Sequence, residues 1–385
     1  MRKFFLPRRH KDTKNYFYNY SSCLRDFVVK HTTLRVFVSL WFITLLLSSC
    51  TDTFDVNEIH KPKQSQNFGD TTYVLQSPTW TGFNQPKDVH VGFEPFIYVA
   101  DAGNNRIAML DLAGNLIGYS PFIQNPNALT QDRKLNLLVC GEFDTTINGQ
   151  KITFGAIFKL DLFAAQHDIS KARVERVYFD LLSPNRKFVG ISALADNSFY
   201  VARTGPNNAS IVDPDDAIML FTKNGIPLTR SYWPYLSVDG TGLSTLTQPT
   251  GLATFTTSST DFIYTQKGSN SLFRTQWITY RSSGDVSGWE SYFTPSRDAG
   301  TDFIQVNLFK QPEDVATDPA GNIFVIDAGK DSLYKFNRAG MLEQAFGGSS
   351  ELKAPEGVAF FDKTLYIADT GNNRVLRYVL STDVK

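Results

Sequence analysis

A sixfold internal repeat is the feature of this 385-residue sequence that most restricts its fold. Three copies are plain: a Pro-x-Asp/Gly turn is followed about a dozen residues later by an apolar run ending in Asp, in 85–101, 311–327 and 354–369. Three weaker copies keep the same template. Taken together, the apolar runs end at positions 101, 141, 203, 266, 327 and 369. One structural unit of about 40–60 residues therefore recurs six times.

Each unit contains four short apolar stretches separated by turn residues, which is typical of four antiparallel strands. A four-stranded unit with this period is a propeller blade, so the sequence predicts an all-β, six-bladed β-propeller. The last copy has three strands and then the chain ends. We therefore expect an N-terminal strand around residues 72–75 to complete the last blade and leave no free edge there.

The copies resemble the NHL-repeat family over residues 71–380, most clearly in the YVAD-like run and the Gly-Asn-Asn-Arg turn that ends at Arg106 and Arg374. The resemblance implies a central channel in which related hydrolases hold a metal ion with carboxylates and amides, a set that Glu313, Glu356 and Asn127 imitate. Related lyases use several histidines. Of the five histidines here, His90 alone falls in an inner strand, which argues against a zinc site.

The first fifty residues read as an export signal. Nine basic residues precede an apolar stretch of about a dozen residues, too short to span a membrane. The stretch ends in Leu47-Ser48-Ser49-Cys50, which resembles a bacterial lipobox; a plain signal peptide or a short membrane helix is the alternative. We expect residues 1–49 to be a signal peptide with a long basic region, residues 50–70 a lipidated Cys50 and its tether, and residues 71–385 the propeller.

The charge and the cysteine content restrict the kinds of partner that this protein can bind. Residues 51–385 carry seven more acidic than basic side chains, which disfavours nucleic-acid binding. With Cys50 lipidated and Cys23 removed, Cys140 has no disulfide partner. The sequence predicts a monomer in the bacterial cell envelope, lipid-anchored at the outer membrane.

The long insertions indicate which face is functional. In a propeller, the connections between second and third strands and between successive blades lie on one face, and the insertions 143–155, 204–216, 233–248 and 294–311 all belong to these classes. We expect a ligand to bind there, at the channel rim. The candidate binding residues are Lys87, Asp88, Asn127, Arg203, Gln266, Glu313, Asp314 and Glu356.

Two functions fit these features. The sequence favours a non-catalytic propeller that binds a protein, peptide or glycan without a cofactor, because no complete catalytic set, no Gly-x-Ser-x-Gly elbow and no phosphate-binding glycine loop can be assembled. The alternative is a metal-dependent lactonase-like or lyase-like enzyme with its site in the channel. The Asp that ends several second strands, such as Asp101, Asp327 and Asp369, is expected to cap the following turn.

Overall fold

The computed structural model describes residues 72–210, 212–228, 236, 242–255, 259–283 and 286–383. The chain divides into two units, residues 1–69 and residues 70–385. Cys50, the predicted signal peptide and the predicted tether lie outside the described residues. Within the described residues, no helix is long and apolar enough to cross a membrane.

The second unit is built from strands and a few single turns of 3₁₀-helix. In chain order the strands are β1 (Tyr73–Trp80), β2 (Pro86–Val91), β3 (Ile97–Asp101), β4 (Arg106–Leu110), β5 (Leu116–Tyr119), β6 (Gln124–Gln131), β7 (Asn136–Ile147), β8 (Gln150–Asp161), β9 (Val174–Phe179), β10 (Lys187–Ala193), β11 (Phe199–Thr204), β12 (Ala217–Phe221), β13 (Pro249–Thr254), β14 (Phe262–Gln266), β15 (Thr275–Ser283), β16 (Val286–Ser291), β17 (Pro312–Thr317), β18 (Ile323–Asp327), β19 (Ser332–Phe336), β20 (Leu342–Gly347), β21 (Gly357–Phe361), β22 (Thr364–Asp369) and β23 (Arg374–Leu380).

These strands form six antiparallel sheets, which confirms the predicted six-bladed propeller. Blades 1, 2, 4 and 5 are β2–β5, β6–β9, β13–β16 and β17–β20, in sequence order from the channel outwards. Blade 3 has three strands in the part of the chain that the structure describes, β10 to β12, and Leu228 N donates to Leu220 O (2.9 Å) where a fourth strand would begin.

Blade 6 is completed by the N-terminal strand, as predicted. Its order is β21-β22-β23-β1, and β1 pairs with β23 from Tyr73↔Leu380 to Trp80↔Val375. The two ends of β1 also reach the neighbouring blades. The Tyr73 ring stacks on Phe346 of blade 5 (6.0 Å between centroids), and the Trp80 indole fills the space where a Cβ at Gly114 of blade 1 would lie.

The core lies between the blades. Six apolar clusters of buried side chains occur in the described residues, one at each junction of neighbouring blades. Second strands such as β3 and β18 are buried along their whole length because a sheet covers each of their faces. The inner strands β2, β6, β10, β13, β17 and β21 surround a central channel.

We call the face with the connections between second and third strands and between blades the upper face, and the opposite face the lower face. The hairpin of β7 and β8 extends on the upper face from Glu142↔Gly155 to Ile147↔Gln150, as the insertion at 143–155 predicts.

The insertion 294–311 is not a free loop on the upper face, and this expectation was wrong. Phe303 is buried, and its N–H donates to the carbonyl of Gly340 (2.9 Å), which lies in a lower-face turn. Phe303 and Phe309 belong to the core cluster between blades 4 and 5. The segment therefore fills the junction between two blades because burial of its apolar side chains stabilises it there.

Candidate functional site at the upper channel mouth

The ends of the second strands build the upper rim. Asp101 Oδ1 accepts the N–H of Asn84 (2.7 Å), and its Oδ2 accepts Arg106 Nε (2.8 Å). Asp369 repeats this arrangement with Lys353 N (2.8 Å) and Arg374 Nε (2.7 Å). The predicted capping of the following turn holds for Asp327, which accepts Gly329 N (2.9 Å), whereas Asp101 and Asp369 make no side-chain hydrogen bond to the backbone of that turn. Each Asp ties its own turn to the connection arriving from the previous blade, which fixes where the next inner strand begins.

Gln266 and Arg203 occupy the same position in blades 4 and 3, and neither lies at the channel rim. The Gln266 amide oxygen accepts Thr247 N (2.8 Å), and its Nε2 donates to Phe273 O (2.6 Å). The amide oxygen thus accepts a backbone N–H of the preceding connection, as the carboxylates of Asp101 and Asp369 do. The Arg203 guanidinium is buried, and it donates to Asp215 O (3.0 Å) and pairs with Asp213 (2.8 Å). The structure does not place either side chain at the predicted channel rim, because both are buried and bind groups of the neighbouring loops.

The acidic stretch 213–216 belongs to a buried ion-pair network. Arg186 bonds to Asp180 (2.6 Å), Asp213 (3.0 Å) and Asp215 (2.7 Å), and it is itself almost fully buried. Because the charges are paired inside the network, it holds the 204–216 loop against the start of blade 3.

Four of the predicted rim residues do meet at one recess. Lys87, Asn127, Glu313 and Glu356 line a cavity of about 410 Å³ at the upper mouth of the channel. Thr250 and Lys267 complete its polar wall. A recess of this size fits a small molecule, since ligand pockets have volumes of about 300–1,000 Å³.

Two lysine–glutamate pairs dominate the recess, and they differ in strength. Lys267 Nζ lies 2.8 and 2.9 Å from the two carboxylate oxygens of Glu313, which also accepts Gln311 Nε2 (2.6 Å). Lys87 Nζ is 3.7 Å from Glu356. Glu313 is therefore saturated by donors, whereas Glu356 keeps acceptor capacity for a ligand.

The pKa of Glu356 is raised above its usual value. Burial is the main cause, and Glu313 adds to it, while Lys87 and Lys267 act in the opposite direction. A carboxylate with a raised pKa in a recess is a candidate for a general acid or base.

Asp88 and Asp314 lie one residue further along their inner strands and line the channel below the recess. Asp88 Oδ2 accepts Leu129 N (2.7 Å), and Asp314 Oδ2 accepts Val358 N (2.9 Å), so each carboxylate links its inner strand to that of the next blade. Both are partly exposed to the channel. Their position deep in the ring raises the pKa of Asp88 to about 7 and that of Asp314 well above its usual value, and Asp88 contributes to the latter.

His90 also lines the channel, two residues below Asp88. Its Nε2 accepts the N–H of Gln131 (3.2 Å), and burial lowers its pKa to about 4. His90 is therefore a neutral link between blades 1 and 2.

The metal site implied by the resemblance can be tested on these residues. Glu313, Glu356 and Asn127, whose Oδ1 is buried without a hydrogen-bond partner, are the oxygen donors that a hard cation takes. However, lysine ammonium groups already pair with both carboxylates. Among the described residues, no group of three or more His, Cys, Asp or Glu side chains is placed to hold a metal ion. The residues do not fit a resident metal.

No family model and no curated protein matches the sequence, so the NHL-repeat resemblance stays a prediction. Many solved structures match the fold. They include the PQQ-bound aldose sugar dehydrogenase of Streptomyces coelicolor (12% identity, 81% of this chain and 98% of that chain, TM-score 0.56). A gluconolactonase of Xanthomonas campestris (12%, 81% and 90%, 0.51) and the calcium-binding protein regucalcin of Agrobacterium tumefaciens (11%, 80% and 93%, 0.51) also match. At these identities the likeness shows the propeller fold alone.

Two of the residues that shape the recess were not among the predicted ones. Lys267 directly follows the Gln266 that ends β14, and Gln311 directly precedes the Pro312 that starts β17. Their positions could have indicated them, because each directly flanks a strand of the repeated motif.

Proposed function

We propose that this chain is an enzyme that acts on a small, neutral, hydroxyl-rich molecule, such as a sugar lactone, at the upper mouth of its channel. The observation that carries the proposal is the recess in which Glu356, with a raised pKa, stands beside two lysine ammonium groups. This replaces the binding of a protein, peptide or glycan as the leading function. Two supposed rim ligands, Arg203 and Gln266, are buried, and four of the other six candidates line one small cavity.

The proposed reaction is hydrolysis of a lactone. Glu356 takes a proton from water, whose oxygen attacks the carbonyl carbon. The charge that develops on the carbonyl oxygen is stabilised by the Lys267 ammonium, which the saturated Glu313 carboxylate holds in place. The carbon–oxygen bond of the ring then breaks, and the leaving oxygen takes the proton from Glu356. Lys87 and Glu356 present a donor and an acceptor to the hydroxyl groups of a sugar.

Glu356→Gln is expected to lower kcat/KM for sugar-lactone hydrolysis by about a hundredfold or more, because general base catalysis contributes about 10²–10⁴-fold. In the parent protein, kcat/KM should rise with pH through the raised pKa of Glu356, since the base must be deprotonated. A pH-indicator assay over a panel of sugar lactones measures both effects.

The matched control is Glu343→Gln, which removes an exposed carboxylate paired with Lys335 on the outer strands of blade 5. It should leave kcat/KM within about twofold, the effect of a surface change of about 0.4 kcal/mol. If the parent hydrolyses none of the lactones, or if Glu356→Gln hydrolyses them as fast as the parent, the proposal is wrong.

We also propose that the protein is exported and anchored at the outer membrane of a bacterial cell through a lipid on Cys50. The support is the coincidence of basic residues, a short apolar stretch and the lipobox-like Leu47–Cys50 in the sequence.

Cys50→Ala should produce a protein that carries no acyl chains and leaves the membrane fraction. The reason is that the variant lacks the side chain to which the anchoring lipid is predicted to be attached. Intact-mass measurement and membrane fractionation test this. Cys23→Ala, which changes a cysteine inside the predicted signal peptide, is the control and should be lipidated like the parent. Acyl chains retained on the Cys50→Ala protein would refute the anchor.

A further inference from the structure

One position at the start of each inner strand lines the recess at the upper mouth. In blades 1 to 5 the pairing register shifts here, as at a β-bulge, which re-aims a side chain. In blade 6 the residue directly precedes β21. Five of the six side chains are polar and the one from blade 3 is aliphatic; they are Lys87, Asn127, Val189, Thr250, Glu313 and Glu356.

Val189 has two apolar neighbours in the lining of the recess. It packs against the core cluster between blades 3 and 4, which holds its side chain in place. Pro206, from the 204–216 loop, and Pro249, at the start of β13, line the same recess. We call Val189, Pro206 and Pro249 the apolar wall. It belongs to blades 3 and 4, whereas Lys87 and Glu356 line the recess from blades 1 and 6.

The loop that carries Pro206 is fixed by a buried carboxylate. Asp215 Oδ2 accepts Asn207 N (2.7 Å), and a Cβ at Gly205 would lie 2.6 Å from the same oxygen. The other oxygen of Asp215 bonds to Arg186 Nε (2.7 Å). Because these contacts lie on both sides of Pro206 in the chain, the apolar wall is preorganised for a ligand.

The threonines next to the apolar wall have partners inside the protein. Thr204 Oγ1 donates to Asp216 Oδ1 (2.7 Å), and Thr250 Oγ1 donates to the carbonyl of Pro312 (2.7 Å). Gln248 is exposed and adds one amide to this side. A ligand that fills the recess therefore meets carbon atoms at Val189 and charged groups on the opposite blades.

We propose that the recess takes a sugar with one apolar substituent, such as the methyl group of a 6-deoxy sugar, and that this group lies on the apolar wall. The ring hydroxyl groups then lie at Lys87 and Glu356. A hydroxymethyl group at Val189 would lose hydrogen bonds to water without gaining a partner, whereas a methyl group gains from burial. The inference rests on the proposed function for the location of the site, and it specifies the substrate class.

The test is a ligand-observed NMR titration of the full chain with matched pairs of methyl glycosides that differ only in the hydroxyl group at C6. The pairs are the α-L-fucoside and α-L-galactoside, the α-L-rhamnoside and α-L-mannoside, and the 6-deoxy-α-D-glucoside and α-D-glucoside. In the pair that binds most tightly, we expect the 6-deoxy member to have a Kd about tenfold lower than its partner. An apolar site discriminates against an added hydroxyl group by up to about a hundredfold.

Val189→Thr keeps the shape of the apolar wall and adds a hydroxyl group that can pair with the C6 hydroxyl. The preference for the 6-deoxy member should therefore fall to about twofold or less. Val74→Thr is the matched control, because it makes the same change at an exposed position of β1, on the outer strand of blade 6, and it should keep the parent's preference.

The inference is overturned if the parent binds none of the glycosides, if no 6-deoxy member binds more tightly than its partner, or if Val189→Thr keeps the parent's preference. These glycosides are not lactones, so their binding is measured apart from hydrolysis. A protein that shows the expected preference but hydrolyses no lactone supports the inference and contradicts the proposed reaction alone.

Discussion

Replacing Tyr73 or Trp80 by alanine is expected to lower the free energy of unfolding of the propeller by about 3–5 kcal/mol each, the range for a buried aromatic side chain. Both are nearly fully buried, and both join blade 6 to a neighbour. Tyr73 belongs to the core between blades 5 and 6, and Trp80 to the core between blades 6 and 1. Because β1 is the strand that completes blade 6, each replacement weakens a junction between this blade and its neighbour.

Chemical denaturation followed by circular dichroism measures this effect. Leu75→Ala is the control, because Leu75 lies in the same strand between the two aromatic residues and is 36% exposed. It should change the free energy of unfolding by about 0.5 kcal/mol or less, as surface substitutions do. A Tyr73→Ala, Trp80→Ala double variant that unfolds at the same denaturant concentration as Leu75→Ala would show that the ring is not held by β1.

The repeat was enough to predict this closure from the sequence. The turn before each inner strand and the buried second strand recur because every blade packs between two neighbouring sheets. A last copy that lacks one strand leaves an edge that β1 can pair with. The bond from Gly329 N to Asp327 was predictable because it lies within one turn, whereas the bonds of Asp101 and Asp369 to the preceding connection join residues 17 and 16 positions apart.

The site was less predictable because equivalent positions in a repeat do not have equivalent surroundings. Gln266 and Arg203 align with the aspartates that end other second strands, and the variation at this position around the ring suggested ligand contacts at the channel mouth. In the structure, the Gln266 amide reproduces the carboxylate's hydrogen bond, and Arg203 turns to the acidic residues of the following loop. The partners of Arg203 come from an insertion outside the repeat, so the repeat could not indicate them.

The segment 294–311 shows a second limit. Its length and position suggested an upper-face loop, and its spaced apolar residues Phe303, Ile304 and Phe309 were the available sign of burial. Apolar residues of this kind are compatible with a segment buried in the core and also with an exposed loop that binds a ligand. Only the neighbouring turn at Gly340, far away in sequence, decides between the two.

The channel carboxylates should make the protein more stable at pH 5 than at pH 8, apart from other titrating groups. The pKa of Asp88 is about 7 in the folded protein and ordinary, near 3.8, in the unfolded chain. At pH 5 the folded protein holds this proton and the unfolded chain does not, so the free energy of unfolding falls as the pH rises towards 8. A shift of this size corresponds to about 4 kcal/mol for a fully buried group. Because Asp88 is partly exposed to the channel, we expect about 2 kcal/mol or less.

Asp88→Asn isolates this contribution. The two oxygens of Asp88 accept the N–H groups of Val89 and Leu129 at 2.7 Å each, whereas asparagine offers one acceptor oxygen. The lost hydrogen bond lowers the stability of the variant by the same amount at both pH values. Its difference in unfolding free energy between pH 5 and pH 8 should be smaller than that of the parent by about 2 kcal/mol. Asp168→Asn is the matched control, because hydrogen bonds from Lys171 and Ser170 lower the pKa of Asp168 to about 2 and it does not titrate in this range. Urea denaturation at the two pH values measures all three proteins. An Asp88→Asn protein whose pH dependence equals that of Asp168→Asn would show that Asp88 is ionised throughout, and that water in the channel solvates its charge.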